Sequence, residues 1–146
     1  MLNKVIFMGV KLSSESIRYL TLFESLTGAS VKDCLVQDEK VIFVVKKGDM
    51  GIAIGKGGIN VEKAKELIGK KIEIVEHSDD ALEFITNIFK PIKVNVKLIE
   101  RKGKRIAQVS VSPQYKGLVI GKGGKNINKA KELVKRHHDI EDIIIK

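Results

Sequence analysis

The feature that most constrains this 146-residue chain is an internal repeat. Residues 51–67 align with residues 117–133 at an offset of 66, with 12 identities in 17 positions. The identical set is Gly51, Ile54, Gly55, Lys56, Gly57, Gly58, Asn60, Lys63, Ala64, Lys65, Glu66 and Leu67, each against its partner between Gly117 and Leu133. Chance does not produce that density of identity in so short a chain. At the centre of each copy stands Gly-Lys-Gly-Gly, at residues 55–58 and again at 121–124. One copy with its flanks fills about half the chain. Two small domains are therefore expected, residues 1–76 and 77–146, each near the size at which a single core sustains itself.

Periodicity around the repeat predicts one element order twice. Ser13 is placed to cap a helix with Ile17, Leu20, Phe23 and Leu26 on one stripe, ending at Gly28. Residues 31–36 and 41–45 are apolar segments joined by the polar turn 37–40, a hairpin. Asp49 is set to cap a short helix through Ile54, and the glycine loop follows. The next helix turns Val61, Ala64, Leu67 and Ile68 inward until Gly69, and Ile72, Ile74 and Val75 make a closing strand.

The second half repeats that order. Ser78 is the expected cap, with Asp79 and Asp80 in a first turn whose dipole favours negative charge. Leu82, Ile85, Ile88 and Phe89 form the stripe, and Pro91 stops the helix. Val94, Val96 and Leu98 alternate with Lys93, Asn95 and Lys97, and after a turn at 101–105 the chain returns through Ala107, Val109 and Val111. Ser112 and Pro113 open a short helix. The loop comes next, then a helix with Ile127, Ala130, Leu133 and Val134 inward, and a last strand at 143–145. The fold class is α+β: helix, strand, strand, helix, glycine loop, helix, strand in each half, with helices packed on one face of a three-stranded sheet.

The apolar run at residues 5–10 is too short for a signal-peptide core or a membrane span and reads as an opening strand. A cytoplasmic protein with no membrane partner is expected. Cys34 is the only cysteine, so no intramolecular disulfide and no cysteine zinc cluster forms, and its apolar neighbours point to a buried thiol. His77, His137 and His138 are too scattered for a metal site or a catalytic dyad. No metal, no cofactor and no enzymatic activity are expected.

Lys and Arg number 27 against 18 Asp and Glu, a formal net charge of +9. Such a surplus concentrates anions at the surface and suits nucleic acid or an anionic membrane. The glycine loop narrows the choice. A Walker-type loop needs four residues between its glycines and a Ser or Thr after Gly-Lys to hold magnesium. Here Gly57 and Gly123 take the hydroxyl position, and three residues separate Gly51 from Gly55. A dinucleotide loop follows a strand and needs a third glycine where Asn60 and Asn126 stand. Neither reading survives.

The pattern Ile54-Gly55-Lys56-Gly57-Gly58-Ile59-Asn60-Val61, and again Ile120-Gly121-Lys122-Gly123-Gly124-Lys125-Asn126-Ile127, resembles the signature of the KH domain. In that family the loop joins two helices and clamps the backbone of about four nucleotides. The element order resembles the prokaryotic, or type II, arrangement in tandem. Residues 120–130 are similar to the loop and helix of the second KH domain of the NusA family of transcription elongation, termination and antitermination factors. A two-KH chain of this length resembles its archaeal members. Bacterial members add a polymerase-binding domain and an OB-type domain, which this sequence does not accommodate.

The resemblance implies single-stranded RNA as the ligand, a nascent transcript or, as the alternative, ribosomal RNA in a ribosome-assembly role, with RNA polymerase as a further candidate partner. The physical chemistry agrees. Bare glycines let phosphates reach backbone amides, the following helix aims its positive end at them, and Lys56 and Lys122 each add a charge. The candidate contacts are Gly55, Lys56, Gly57, Gly58, Gly121, Lys122, Gly123, Gly124 and Lys125. Ile54 and Ile120 are either a floor for bases or ordinary core. Asn60 and Asn126 either touch RNA or satisfy the loop backbone. Arg101, Lys102, Lys104 and Arg105 in the basic turn are a possible secondary contact. Five Phe, two Tyr and no Trp argue against recognition by aromatic stacking platforms.

Overall fold

Each repeat copy sits in a unit of its own, and the chain divides between them at His77 and Ser78. The computed structural model describes residues 4–7 and 10–146, with side chains from residue 12 onward.

In the first unit, β1 (Lys4–Phe7) pairs antiparallel with β2 (Val10–Ser13). The opening apolar run is therefore two strands, not the single one expected. Met8 and Gly9, between those strands in sequence, lie outside the described residues. α1 (Ser14–Thr27) begins where Ser13 accepts a hydrogen bond from the Ser16 amide at 3.1 Å and ends at Gly28 in the left-handed region. The sheet is β3 (Val31–Val36), β4 (Lys40–Val45) and β5 (Lys71–Glu76), with β4 central, antiparallel to β3 and parallel to β5. A parallel pair needs a crossover. That crossover is α2 (Met50–Ile54), a 3-10 turn at Lys56–Gly58 and α3 (Ile59–Ile68). The glycine loop thus sits midway along the connection.

The core gathers Val41, Phe43 and Val45 of β4 with Phe23 of α1, Ala53 of α2 and Ala64 of α3. Phe23 and Phe43 stack with centroids 4.2 Å apart and planes 10° from parallel. Ile42 and Val44 point to the opposite face and are equally buried, so β4 reads as a continuous apolar run rather than an alternating one. Two expectations need correction here. Asp49 stands at the start of α2 but makes no side-chain cap; its carboxylate accepts from the Ser30 amide at 2.8 Å. Leu67 is 62% exposed. The inward stripe of α3 runs Val61, Ala64, Ile68, and Leu67 is turned about 100° from its centre.

The second unit repeats the plan with α4 (Ala81–Phe89), β6 (Asn95–Arg101), β7 (Lys104–Ser110) and β8 (Asp142–Ile145). β7 is central, antiparallel to β6 and parallel to β8. A 3-10 turn at Pro113–Tyr115 leads into α5 (Lys116–Ile120), a second 3-10 turn spans Lys122–Gly124, and α6 (Lys125–His138) completes the crossover. α4 begins later than expected. Asp80, not Ser78, is the N-cap, accepting from the Leu82 amide at 3.2 Å. The Ser78 hydroxyl instead accepts from the Asp80 amide at 3.1 Å, a local turn that holds the chain short of the helix. Asp79 and Asp80 thus precede the first turn, whose acidic residue is Glu83.

The buried stripe of α4 is Ala81, Phe84, Ile85, Ile88 and Phe89. Leu82, expected inside, is 40% exposed, because Phe84 fills the inward position and Leu82 is turned one residue, about 100°, from Ala81. α6 buries Lys129, Ala130, Leu133 and Val134, while Ile127 is only half-buried. No helix among the described residues is long and apolar enough to cross a membrane.

Candidate nucleic-acid interface

The two glycine loops adopt one backbone conformation. Gly55 and Gly121 have φ/ψ of 80/163° and 79/165°. Gly57 and Gly123 have 65/18° and 63/18°, and Gly58 and Gly124 have 78/15° and 78/12°. Positive φ at three of four positions explains why lysine is the only side chain admitted.

Hydrogen bonds show what each position does. The Gly55 amide donates to the Gly51 carbonyl at 2.9 Å and closes α2; Gly121 closes α5 by donating to Gly117 at 2.8 Å. The amides of Gly58 and Gly124 donate back to Gly55 and Gly121, both at 3.0 Å. Ile59 and Lys125 donate to the carbonyls of Lys56 and Lys122. The first N–H groups of such a turn, those of Lys56 and Gly57 and of Lys122 and Gly123, have no carbonyl within it to meet. All four residues are exposed. Each apex therefore leaves two amides and an ammonium group open to solvent, groups of the kind that bind oxyanions.

Asn60 and Asn126 set the shape of the loops. The Asn60 carboxamide donates to the Ile52 carbonyl at 2.7 Å, and that of Asn126 to Leu118 and Val119 at 3.2 and 3.0 Å. Each ties the helix after the loop to the helix before it and satisfies carbonyls that the short helix leaves open. The first glycine of each loop is coupled to the same asparagine. A Cβ at Gly55 would lie 2.8 Å from Asn60 Cγ and 2.9 Å from its backbone nitrogen, and one at Gly121 would lie 2.8 Å from Asn126 Cβ and nitrogen. A Cβ at Gly57 or Gly123 would meet nothing within 4 Å, because the middle glycine faces open space.

Ile54 and Ile120 are not core; they are 38% and 40% exposed. The buried anchors of the two short helices are their neighbours Ala53 and Val119. Ile52 and Leu118, 48% and 63% exposed, join them, so each loop is flanked by two aliphatic side chains in solvent. Sequence reasoning missed Ile52 and Leu118, although both copies carry a bulky aliphatic residue there. Lys125 is exposed at the first position of α6, where Ile59 stands in the first copy.

The lysines of the two helices have different surroundings. Lys63 and Lys65 are exposed, Lys129 is buried and Lys131 lies 3.3 Å from Asp142. The basic turn is a tight connection, with Lys102 at φ 51° and Gly103 at φ 77° between the paired residues Arg101 and Lys104. All five residues are exposed. Arg105 has a structural bond: its Nη1 donates to the His138 carbonyl at 2.8 Å, at the negative end of α6. The ring of His138 meets the Ser78 carbonyl at 2.8 Å and tilts against Phe84 at 5.2 Å, which ties the end of α6 to the start of α4. Cys34 is buried, and no group of three or more His, Cys, Asp or Glu among the described residues could hold a metal ion.

The KH-domain family matches residues 17–104, and the family of NusA-like second KH domains matches residues 81–146. A protein of Methanocaldococcus jannaschii named "Probable transcription termination protein NusA" is 43% identical over 135 residues, 92% of this chain and 74% of that one. The chain belongs to the NusA-like KH family. Another NusA-like relative, from Halococcus morrhuae and with the same name, is 39% identical over 136 residues, covering 93% of this chain and 98% of its own. The bacterial "Transcription termination/antitermination protein NusA" of Borreliella burgdorferi is 36% identical over 86 residues, 58% of this chain but 18% of that larger protein. The crystal structure of APE1850 superposes with a TM-score of 0.78 at 35% identity, covering 92% of this chain and all of that one. This chain has two KH domains of mixed α+β architecture, each with its own three-stranded sheet.

Proposed function

We propose that this NusA-like KH protein binds single-stranded RNA through both glycine loops and acts as a transcription elongation, termination or antitermination factor, without catalysis. The observation that carries the RNA reading is the duplicated apex, two identical backbone turns presenting exposed amides and one lysine each. Gly55–Gly58 and Gly121–Gly124 cradle phosphates in this reading, and Lys56, Lys122 and Lys125 add charge. Ile54 and Ile120 contact bases, and Asn60 and Asn126 hold the loops in shape. Arg101, Lys102 and Lys104 form a secondary contact, with Arg105 anchoring that turn. Each unit is taken as one KH domain, the first ending near residue 76. The names of the relatives support transcription as the process, a cytoplasmic site of action goes with it, and RNA polymerase is the protein partner to look for.

The test combines K56D and G57D with K122D and G123D. For about six phosphates contacted, the wild-type log–log salt slope on single strands is about −4. The quadruple variant should lose RNA binding with an unchanged far-UV CD spectrum. Retained affinity would remove the loops from the mechanism. Crosslinking in cells with sequencing of the bound RNA tests the process: nascent transcripts support transcription, and mature ribosomal RNA supports ribosome assembly.

A further inference from the structure

The two loops share a backbone but not a charge. Residues 50–62 hold one lysine, Lys56, and one acid, Glu62, for a net of zero; the matching residues 116–128 hold Lys116, Lys122 and Lys125 with no acid, a net of +3. Three exchanges make the whole difference: Met50 for Lys116, Ile59 for Lys125, and Glu62 for Asn128. The charged members are all exposed. Lys125 directly follows the second loop, and Lys116 lies about 7.5 Å from it along α5. That rise is within a Debye length of about 8 Å at physiological salt, so the charge of Lys116 as well as that of Lys125 is felt at the loop.

Residues farther along the helices leave the contrast standing. In the first unit, exposed Lys63 and Lys65 alternate with Glu62 and Glu66, and the net for 50–66 is +1. In the second, Lys129 is buried, Lys131 pairs with Asp142 and Glu132 pairs with Arg136 at 3.0 Å. Within residues 116–132 the exposed charge outside those pairs is that of Lys116, Lys122 and Lys125. The first loop has something the second lacks. Ile59, 50% exposed, joins Ile52 and Ile54, so three aliphatic side chains border its apex.

We propose that the loops divide the work on one RNA: both cradle phosphates, the second is the stronger electrostatic anchor, and the first adds apolar contact with bases and riboses. This inference rests on the RNA-binding reading above. Counterion release gives it a signature, because each phosphate neutralised on a single strand contributes about 0.7 to the salt slope. Ile59 contributes contact without counterion release.

The experiment measures affinity of the full chain for an unstructured RNA across a salt series. K125I with N128E is compared with I59K with E62N, all at exposed positions away from the buried cores. The first pair should flatten the slope by about 0.7 or more and cost most of its affinity at low salt. The second pair should steepen it by a similar amount. I59A should weaken binding by the same factor at every salt concentration. Flattening by K125I and N128E that is no greater than that caused by I59A would overturn the division of labour while leaving RNA binding intact. Failure of the unmodified chain to bind RNA would overturn the proposed function and this inference with it.

Discussion

The first and third positions of the Gly-Lys-Gly-Gly loop differ in what a side chain there would meet, and alanine separates them. Gly121 has φ 79° and ψ 165°, a region essentially closed to side chains, and occupancy by a non-glycine residue costs about 1–3 kcal/mol. Its new Cβ would also lie 2.8 Å from the backbone nitrogen of Asn126. Backbone cannot yield as a flexible side chain would, so Asn126 must shift and strain its bonds to Leu118 and Val119, each worth about 1 kcal/mol. The expected cost of G121A is about 3–5 kcal/mol. Gly123, at φ 63° and ψ 18° with nothing within 4 Å of its Cβ, should cost only the left-handed penalty of about 1–2 kcal/mol. Urea denaturation followed by far-UV CD reads the difference within one unit. G121A should lower the unfolding midpoint clearly more than G123A, whereas G123A should keep the fold and, on the proposed RNA-binding mode, lose RNA affinity, because its methyl group would stand where that mode puts a phosphate. Equal costs, or a milder effect of G121A, would refute the division between a shape-setting glycine and a ligand-facing one.

Three further perturbations follow from the same contacts. Asn60→Ala should cost about 1 kcal/mol and Asn126→Ala about 1–2 kcal/mol by denaturation, with the RNA salt slope unchanged. Arg105→Ala should destabilise the second unit by about 1 kcal/mol through loss of its bond to the end of α6, while Lys102→Ala at the exposed tip should stay within about 0.5 kcal/mol. Phe43→Ala removes the stacked partner of Phe23 from a fully buried site and should cost about 3–5 kcal/mol in the first unit's stability.

Local chemistry was legible in the sequence where one residue type has one physical use. Gly28 and Gly69 end helices in the left-handed region, Ser13 caps α1, and the alternation at 94–98 lies on β6 to within a residue. The place of each loop between two helices was legible for the same reason, since three glycines in four residues break a helix. What depends on neighbours from elsewhere in the chain was not. Leu67 and Leu133 are identical in the repeat, yet one is exposed and the other buried, because α6 buries a wider stripe against α4 than α3 does in the first unit. Lys63 and Lys129 part in the same way. Ser78 and Asp80 are both good caps, and only the turn between them decides which is used. For Asn60 and Asn126, either RNA contact or backbone satisfaction was open, and the hydrogen bonds supply the structural role. At Ile54 and Ile120, helical phase sets Ala53 and Val119 inward and leaves the isoleucines beside the loop.

Titration of the isotope-labelled chain with an unstructured RNA, followed by amide resonances in NMR, reports on both apexes at once. The amides of Lys56, Gly57, Lys122 and Gly123 should shift earliest and furthest, saturating together with binding. RNA that binds while those four stay still, with the changes confined to residues 101–105 or elsewhere, would contradict a mechanism in which the turns hold the strand.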